Sequence, residues 1–177
     1  IHRHKMVEPD EDLASSQYAI LTEKVEESAF RQYEVSNFSL KGWESKHNSA
    51  YWQRIPYLGL GTAAHSFDGK HRSWNAPTLN AYFSQIADGK PCYEYETLTD
   101  TDRYNEYLLL RLRTCAGIDL REMERLFGSP KTEKLLRYFA EEVDDEYFAR
   151  SDDRLHLTAK GLWFADGIAG GGFETDL

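Results

Sequence analysis

Apolar positions in the first part of the chain fall at Ala14, Tyr18, Leu21, Val25 and Ala29. Steps of three and four predict an amphipathic helix running to about Ser28. Pro9-Asp10-Glu11-Asp12 opens it, with acidic residues where the helix dipole favours them. Gln32-Tyr33-Glu34-Val35 then reads as a short strand that Asn37 ends. A helix followed closely by a strand is the repeating step of an α/β domain. Lys41-Gly42 marks a loop, Ser45 to Trp52 a short helix, and Tyr57 to Leu60 a strand cut off by Gly61. His71 to Trp74 reads as another strand and Pro77 to Ala87 as a helix.

The pattern changes around Asp88-Gly89-Lys90-Pro91, which places a domain boundary there and divides the chain into 1–90 and 91–177. Beyond it, Thr99-x-x-Asp102 has the form of a capping box and opens a helix bearing Tyr104, Tyr107, Leu108 and Leu112. Ile118 to Phe127 is a second helix, ended by Gly128. Ser129-Pro130 starts a third, with Leu135, Leu136, Phe139 and Val143 on its apolar side. Tyr147 to Ala149 and Arg154 to Leu157 flank Asp152-Asp153 as a small hairpin would. Thr158 then caps a last helix through Leu162, Phe164 and Ile168, and Gly170-Gly171-Gly172 reads as a flexible end. The expected fold is therefore α/β units followed by a mostly helical, winged-helix-like domain.

Composition narrows the function classes. With 41% hydrophobic and 29% charged residues in 177, the chain reads as a soluble globular protein. An aromatic content of 14% suits interfaces or a flat ligand. A formal charge of −9 opposes binding to a phosphate backbone, and so does the run Glu141-Glu142-x-Asp144-Asp145-Glu146 beside the candidate reading helix. No apolar run is long enough to span a membrane. Ile1-His2-Arg3-His4-Lys5 precedes acidic residues and no apolar core, so no signal peptide is read there. The absence of an initiator Met fits a processed product or a fragment. Cys92 and Cys115 are too far apart for a CxxC motif and read as two reduced cytoplasmic thiols.

Candidate chemistry concentrates between Tyr33 and Ser66. On a helix, His47 and Tyr51 share one face, and Asn48 and Trp52 the adjacent one. Imidazole is a good axial ligand for heme iron, and aromatic rings suit a flat macrocycle. The plainer alternative is a His and a Tyr packed near a core Trp. Gly59-x-Gly61 at a strand end lets backbone turn tightly or approach a ligand, or allows close packing. His65 reads as a buried, satisfied imidazole before it reads as a base.

Three clusters, Tyr33-Glu34-Val35-Ser36-Asn37-Phe38, His47-Asn48-x-x-Tyr51-Trp52 and Tyr57-Leu58-Gly59-Leu60-Gly61-x-x-Ala64-His65-Ser66, together resemble radical S-adenosylmethionine (SAM) proteins of the oxygen-independent coproporphyrinogen III oxidase group. Arg72-x-Trp74-Asn75 also matches a pattern of that group, with a surface Arg and a buried Trp as the plainer reading. The resemblance covers about residues 6 to 170 and corresponds to the second half of such proteins. It implies the last units of a partial barrel, then a domain over the barrel mouth. The group's YEISNFA segment ends in an Ala whose backbone helps hold the SAM adenine, and Ser39 stands there in this chain. Phe38, Ser39, Gly59 and Gly61 would then lie on the SAM side of the barrel. Where the group often has Gly-Pro-Gly, this chain has Gly61-Thr62-Ala63.

HNxxYW marks the heme-chaperone branch, so the resemblance implies heme binding by His47, Tyr51 and Trp52, with His47 on the iron and delivery to heme-acceptor proteins. The group's CxxxCxxC ligands for a [4Fe–4S] cluster are not in this chain, so it alone is expected neither to hold that cluster nor to cleave SAM. Three readings remain open at this point. One is a heme carrier, one is part of a coproporphyrinogen-decarboxylating oxidase, and one is an interaction domain without ligand chemistry. Self-association through exposed barrel edges is a further expectation.

Overall fold

The computed structural model describes residues 10–175, and Pro9, read above as part of a helix start, lies outside them. Helix α1 (Glu11–Glu26) is capped by Asp10, whose side chain accepts from the Leu13 amide at 3.1 Å. None of its residues is buried, so the predicted apolar stripe forms but is left largely uncovered. Ala14, Tyr18 and Val25 of the stripe are half-buried, with the Tyr18 ring 4.6 Å from that of Trp163.

Strands β1 (Phe30–Glu34) and β2 (Asn37–Leu40) pair antiparallel as a hairpin. Asn37 therefore begins a second strand instead of ending the first. Its side chain donates to the buried Glu34 carboxylate across the turn, which provides a partner for a charge that burial would otherwise penalise. Beyond the hairpin, α2 (Lys46–Trp52) is capped by Ser45, which accepts from Asn48 N at 3.2 Å.

Strands β3 (His65–Phe67), β4 (His71–Trp74) and β5 (Glu94–Thr97) form an antiparallel sheet in that order, with α3 (Leu79–Ala87) between β4 and β5. The strand expected at Tyr57 to Leu60 is reduced to a single bridge, Tyr57 to Phe67. Two glycines explain this. A Cβ on Gly59 would sit 2.1 Å from the His65 carbonyl oxygen, and Gly61 has φ +105°, outside any strand conformation.

The second half runs α4 (Asp100–Leu112), β6 (Ile118–Asp119), α5 (Leu120–Phe127), α6 (Ser129–Glu142), β7 (Phe148–Arg150), β8 (Arg154–Leu157), α7 (Ala159–Leu162) and α8 (Ala165–Gly171). Thr99 and Asp102 make the predicted capping box. The element expected at 118–127 is split, because Ile118 and Asp119 pair with Leu155 and Arg154 before Asp119 caps α5. The last helix is split as well: Phe164 leaves helical geometry (φ −106°, ψ 15°) and α8 starts anew after it. The triple glycine is no loose end. Gly170 and Gly171 close α8, and Gly172 is buried with Leu135 and Leu108 side chains beside it.

The buried residues of the main hydrophobic core all lie in this half, with Val35 of the first half packed against them. Tyr104, Tyr107, Leu108 and Leu112 of α4 pack with Ile118, Met123, Leu135, Phe139, Leu155 and Ala169. Burying each large apolar side chain contributes roughly 1.5–3 kcal/mol. The overall class is mixed α/β, as expected, with every strand pairing among the described residues antiparallel.

Candidate functional site

Helix α2 carries the HNxxYW residues. His47 is exposed, and its ring meets that of Tyr51 edge-on at 4.8 Å. Tyr51 in turn meets Tyr57 at 4.6 Å, and Tyr57 lies 6.3 Å from Phe67. The i, i+4 spacing read from the sequence thus places His47 and Tyr51 together, and the fold adds Tyr57 from the following segment. Burial raises the Tyr57 hydroxyl pKa, with Tyr51 adding to the shift. Trp52 faces the other way: its ring lies under the Arg113 guanidinium at 5.9 Å, and its buried indole N–H has no partner among the described residues.

The end of α2 has an unusual residue. Ile55 N donates to Ala50 O at 3.0 Å and Arg54 N to Tyr51 O at 2.9 Å, the paired bonds of a Schellman C-cap. Position 54 takes the left-handed conformation (φ 58°) that glycine normally fills. An L-residue there costs about 1–2 kcal/mol. The side chain offsets this: Arg54 donates to Arg103 O at 2.8 Å, pairs with Glu106 at 3.6 Å and lies 5.3 Å from the Phe67 ring centre. Burial lowers the Arg54 pKa, and Glu106 opposes that shift. Glu106 also binds Arg72, joining β4 to α4. Nothing in the sequence pattern pointed to Arg54.

The glycine loop is built differently from a ligand cradle. Gly59 N donates to Ser66 Oγ at 2.9 Å and Gly61 N to Tyr82 OH at 3.2 Å. The buried Asn75 side chain donates to the carbonyls of both glycines, and Gln85 donates to Asn75 Oδ1 at 3.0 Å. Asn75 and Gln85 thus hold the loop from beneath, leaving Leu58 and Leu60 74% and 79% exposed. His65 is exposed, not buried as expected, and its ring lies 5.8 Å from the half-buried Trp74.

Phe38 lines a cleft of about 890 Å³ between α1, the β1–β2 hairpin and α6 to α8, with Tyr18, Tyr147, Trp163 and Phe164 among its walls. At its edge Arg113 donates to both Asp166 carboxylate oxygens, at 2.7 and 2.5 Å. That pairing raises the Arg113 pKa and lowers that of Asp166. Ser39, next to Phe38, is buried, and its hydroxyl has no partner among the described residues. His47 does not line this cleft. The suggested heme and SAM residues are therefore distributed over α2, the hairpin and the glycine loop.

The residues present do not suit an iron–sulfur cluster. Cys92 and Cys115 are both free, and no group of three or more His, Cys, Asp or Glu is placed to hold a metal among the described residues. Three thiolates are needed to leave one iron open for SAM.

A mixed α/β chain with an exposed HNxxYW helix and a buried helical second half defines the class. Residues 98–164 match the family model described as the HemN C-terminal domain. The chain matches the C-terminal portion of HemN-like radical SAM proteins. It is 28% identical over 163 residues to "Heme chaperone HemW" of Bacillus subtilis, covering 92% of this chain and 43% of that protein. It is 29% identical over 169 residues to the protein of the same name from Mycobacterium tuberculosis H37Rv, covering 95% and 41%. Among solved structures it resembles coproporphyrinogen III oxidase (HemN) from Escherichia coli, with a TM-score of 0.63 at 18% identity, over 87% of this chain and 40% of that one. The chain thus spans about two fifths of the length of these relatives.

Proposed function

We propose that this chain is the heme-binding portion of a longer heme chaperone, with His47 of α2 as axial ligand to the iron, Tyr51 beside the macrocycle, and Trp52 backing the helix from its other side. The observation that carries the reading is the exposed His47 imidazole, set edge-on to Tyr51 on a capped helix. An exposed imidazole can reach a metal, and the neighbouring Tyr51 ring, with Tyr57 behind it, offers the aromatic surface a tetrapyrrole needs. The names of the Bacillus and Mycobacterium relatives support it. The oxidase reading rests on likeness of fold and on the HemN C-terminal domain match over residues 98–164.

In this reading residues 1–90 belong to the last units of a partial radical SAM barrel and 91–177 form a winged-helix-like domain. The confinement of the core to residues 104–169 supports that division, as does the order helix, strand, helix, helix, strand, strand from α4 to β8. The SAM and [4Fe–4S] chemistry belongs to parts of the intact protein outside this chain, with Phe38, Ser39, Gly59 and Gly61 near the SAM side. Two free thiols support a reducing, cytoplasmic setting. No helix among the described residues is long and apolar enough to cross a membrane.

Heme titration followed by Soret absorbance tests the proposal, comparing this chain with His47→Ala. Saturable binding that weakens at least about tenfold in the variant is the expected result, a loss of roughly 1.4 kcal/mol. Equal binding by both proteins removes His47 from the site, and no binding by either removes the site from this chain.

A further inference from the structure

Helix α2 carries the candidate heme ligand but has no buried residue of its own, so something outside it must hold it in place. Two arginines do so, from opposite directions. Arg54, just past the C-terminal end of α2, reaches α4 and meets the Arg103 carbonyl at 2.8 Å and Glu106 at 3.6 Å. Arg113, at the C-terminal cap of α4, reaches back over Trp52 at 5.9 Å while Asp166 of α8 fixes its guanidinium. Residues 103, 106 and 113 share one face of α4, because steps of three and seven return to nearly the same direction on a helix. The core residues Tyr104, Tyr107, Leu108 and Leu112 anchor α4 in the second half of the chain.

The backbone supplies an independent observation. Position 54 is the left-handed residue of a Schellman cap, where glycine would close the helix without strain. An arginine there disfavours the turn, so its presence points to work done by its side chain, and its polar contacts are those to α4, with the Phe67 ring of β3 beneath the guanidinium at 5.3 Å.

We infer that α4 positions the His47-bearing helix through Arg54 and Arg113, making them positioning residues that couple the heme site to the helical half of the chain. The inference rests on the heme-carrier reading for its functional consequence. Its structural content, that α4 restrains α2, stands apart from heme. Arg54 fixes the end of α2 one turn beyond Tyr51 and Trp52, and Arg113 fixes the face opposite His47. Any shift of α4 against the first half therefore moves the ligand and its flanking rings together.

Arg54→Gly is the informative substitution, since it keeps or improves the helix cap while removing the link to α4. Arg113→Met removes the other link from a half-exposed position. Amide hydrogen exchange in the heme-free chain is expected to accelerate about tenfold over residues 46–54 in each variant and to stay unchanged over 104–112. Heme affinity is expected to fall about five- to tenfold, with a displaced Soret maximum in the bound form reporting altered iron geometry. Exchange over 46–54 equal to that of the parent overturns the inference, and so does acceleration spread equally over 104–112, which marks a general loss of stability. Parent protein that takes up no heme sinks the heme-carrier reading, while the exchange data still decide whether α4 holds α2.

Discussion

Tyr104 and Tyr107 sit about one turn apart on α4, both buried, and their hydroxyls meet different fates. Tyr107 donates to Glu122 at 3.1 Å, whereas the Tyr104 hydroxyl has no partner among the described residues. Burial, with Glu174 adding to it, pushes the Tyr104 pKa up to about 12. A raised pKa on a neutral acid means the fold favours the protonated form. Stability from this group is complete below the unfolded value of about 10 and is lost as pH rises towards about 12. Tyr104→Phe removes an unpaired hydroxyl and leaves the ring, so melting at neutral pH should be unchanged or higher. The same variant should lose less stability between about pH 10 and 12. A neutral-pH melting temperature several degrees lower would show that the hydroxyl has a partner after all. Arg54 teaches a related lesson: its cost is local, in the backbone, and its compensation lies 49 residues away on Arg103. Sequence spacing reports the first kind of neighbour and is silent on the second.

At the scale of elements, end signals were more legible than strands. Ser45, Thr99 and Thr158, read as helix openers, each accept a bond from the backbone of the helix they open, while Thr78 and Asp119 do the same without having been read as caps. Such caps act within three residues, so their information is local. Thr99 also lowers the Asp102 pKa through hydrogen bonds to its carboxylate. That contribution is present above the unfolded carboxylate pKa and fades as pH falls through the folded one. Thr99→Ala should cost about 1 kcal/mol and lower the melting temperature by a few degrees. A melt unchanged within error would mean α4 is held by its buried face alone. Strand β5 was missed because all four of its residues are exposed, leaving no apolar face to alternate. Strand β3 has only three residues, too few for any period to show. The strand expected after Tyr57 failed for the opposite reason, since its apolar residues Leu58 and Leu60 point to solvent from a loop that Asn75 and Gln85 hold.

The whole molecule is lopsided in its packing. Its core occupies the second half, while large apolar side chains stand exposed across the first, including Ile20, Phe30, Trp43, Ile55, Leu58 and Phe83. Edge strand β5 adds unpaired backbone to that surface, whereas the outer edge of β3 is bridged by Tyr57. Light scattering over a concentration series is expected to show association, and a monomer at every concentration would count against it. The sequence by itself determined the helix starts at Ser45, Thr99, Ser129 and Thr158, the mixed α/β class, the HNxxYW helix with His47 beside Tyr51, and the lack of cluster-binding cysteines. Each of these depends on neighbours a few residues apart or on composition. Tertiary structure alone decided that Asn37 starts a strand, that His65 is exposed, and that the final glycines pack. It also decided that the helix bearing His47 hangs on α4 through Arg54 and Arg113. Those outcomes depend on contacts between residues far apart in the chain, where close packing and partners for buried charge are settled only once the halves meet.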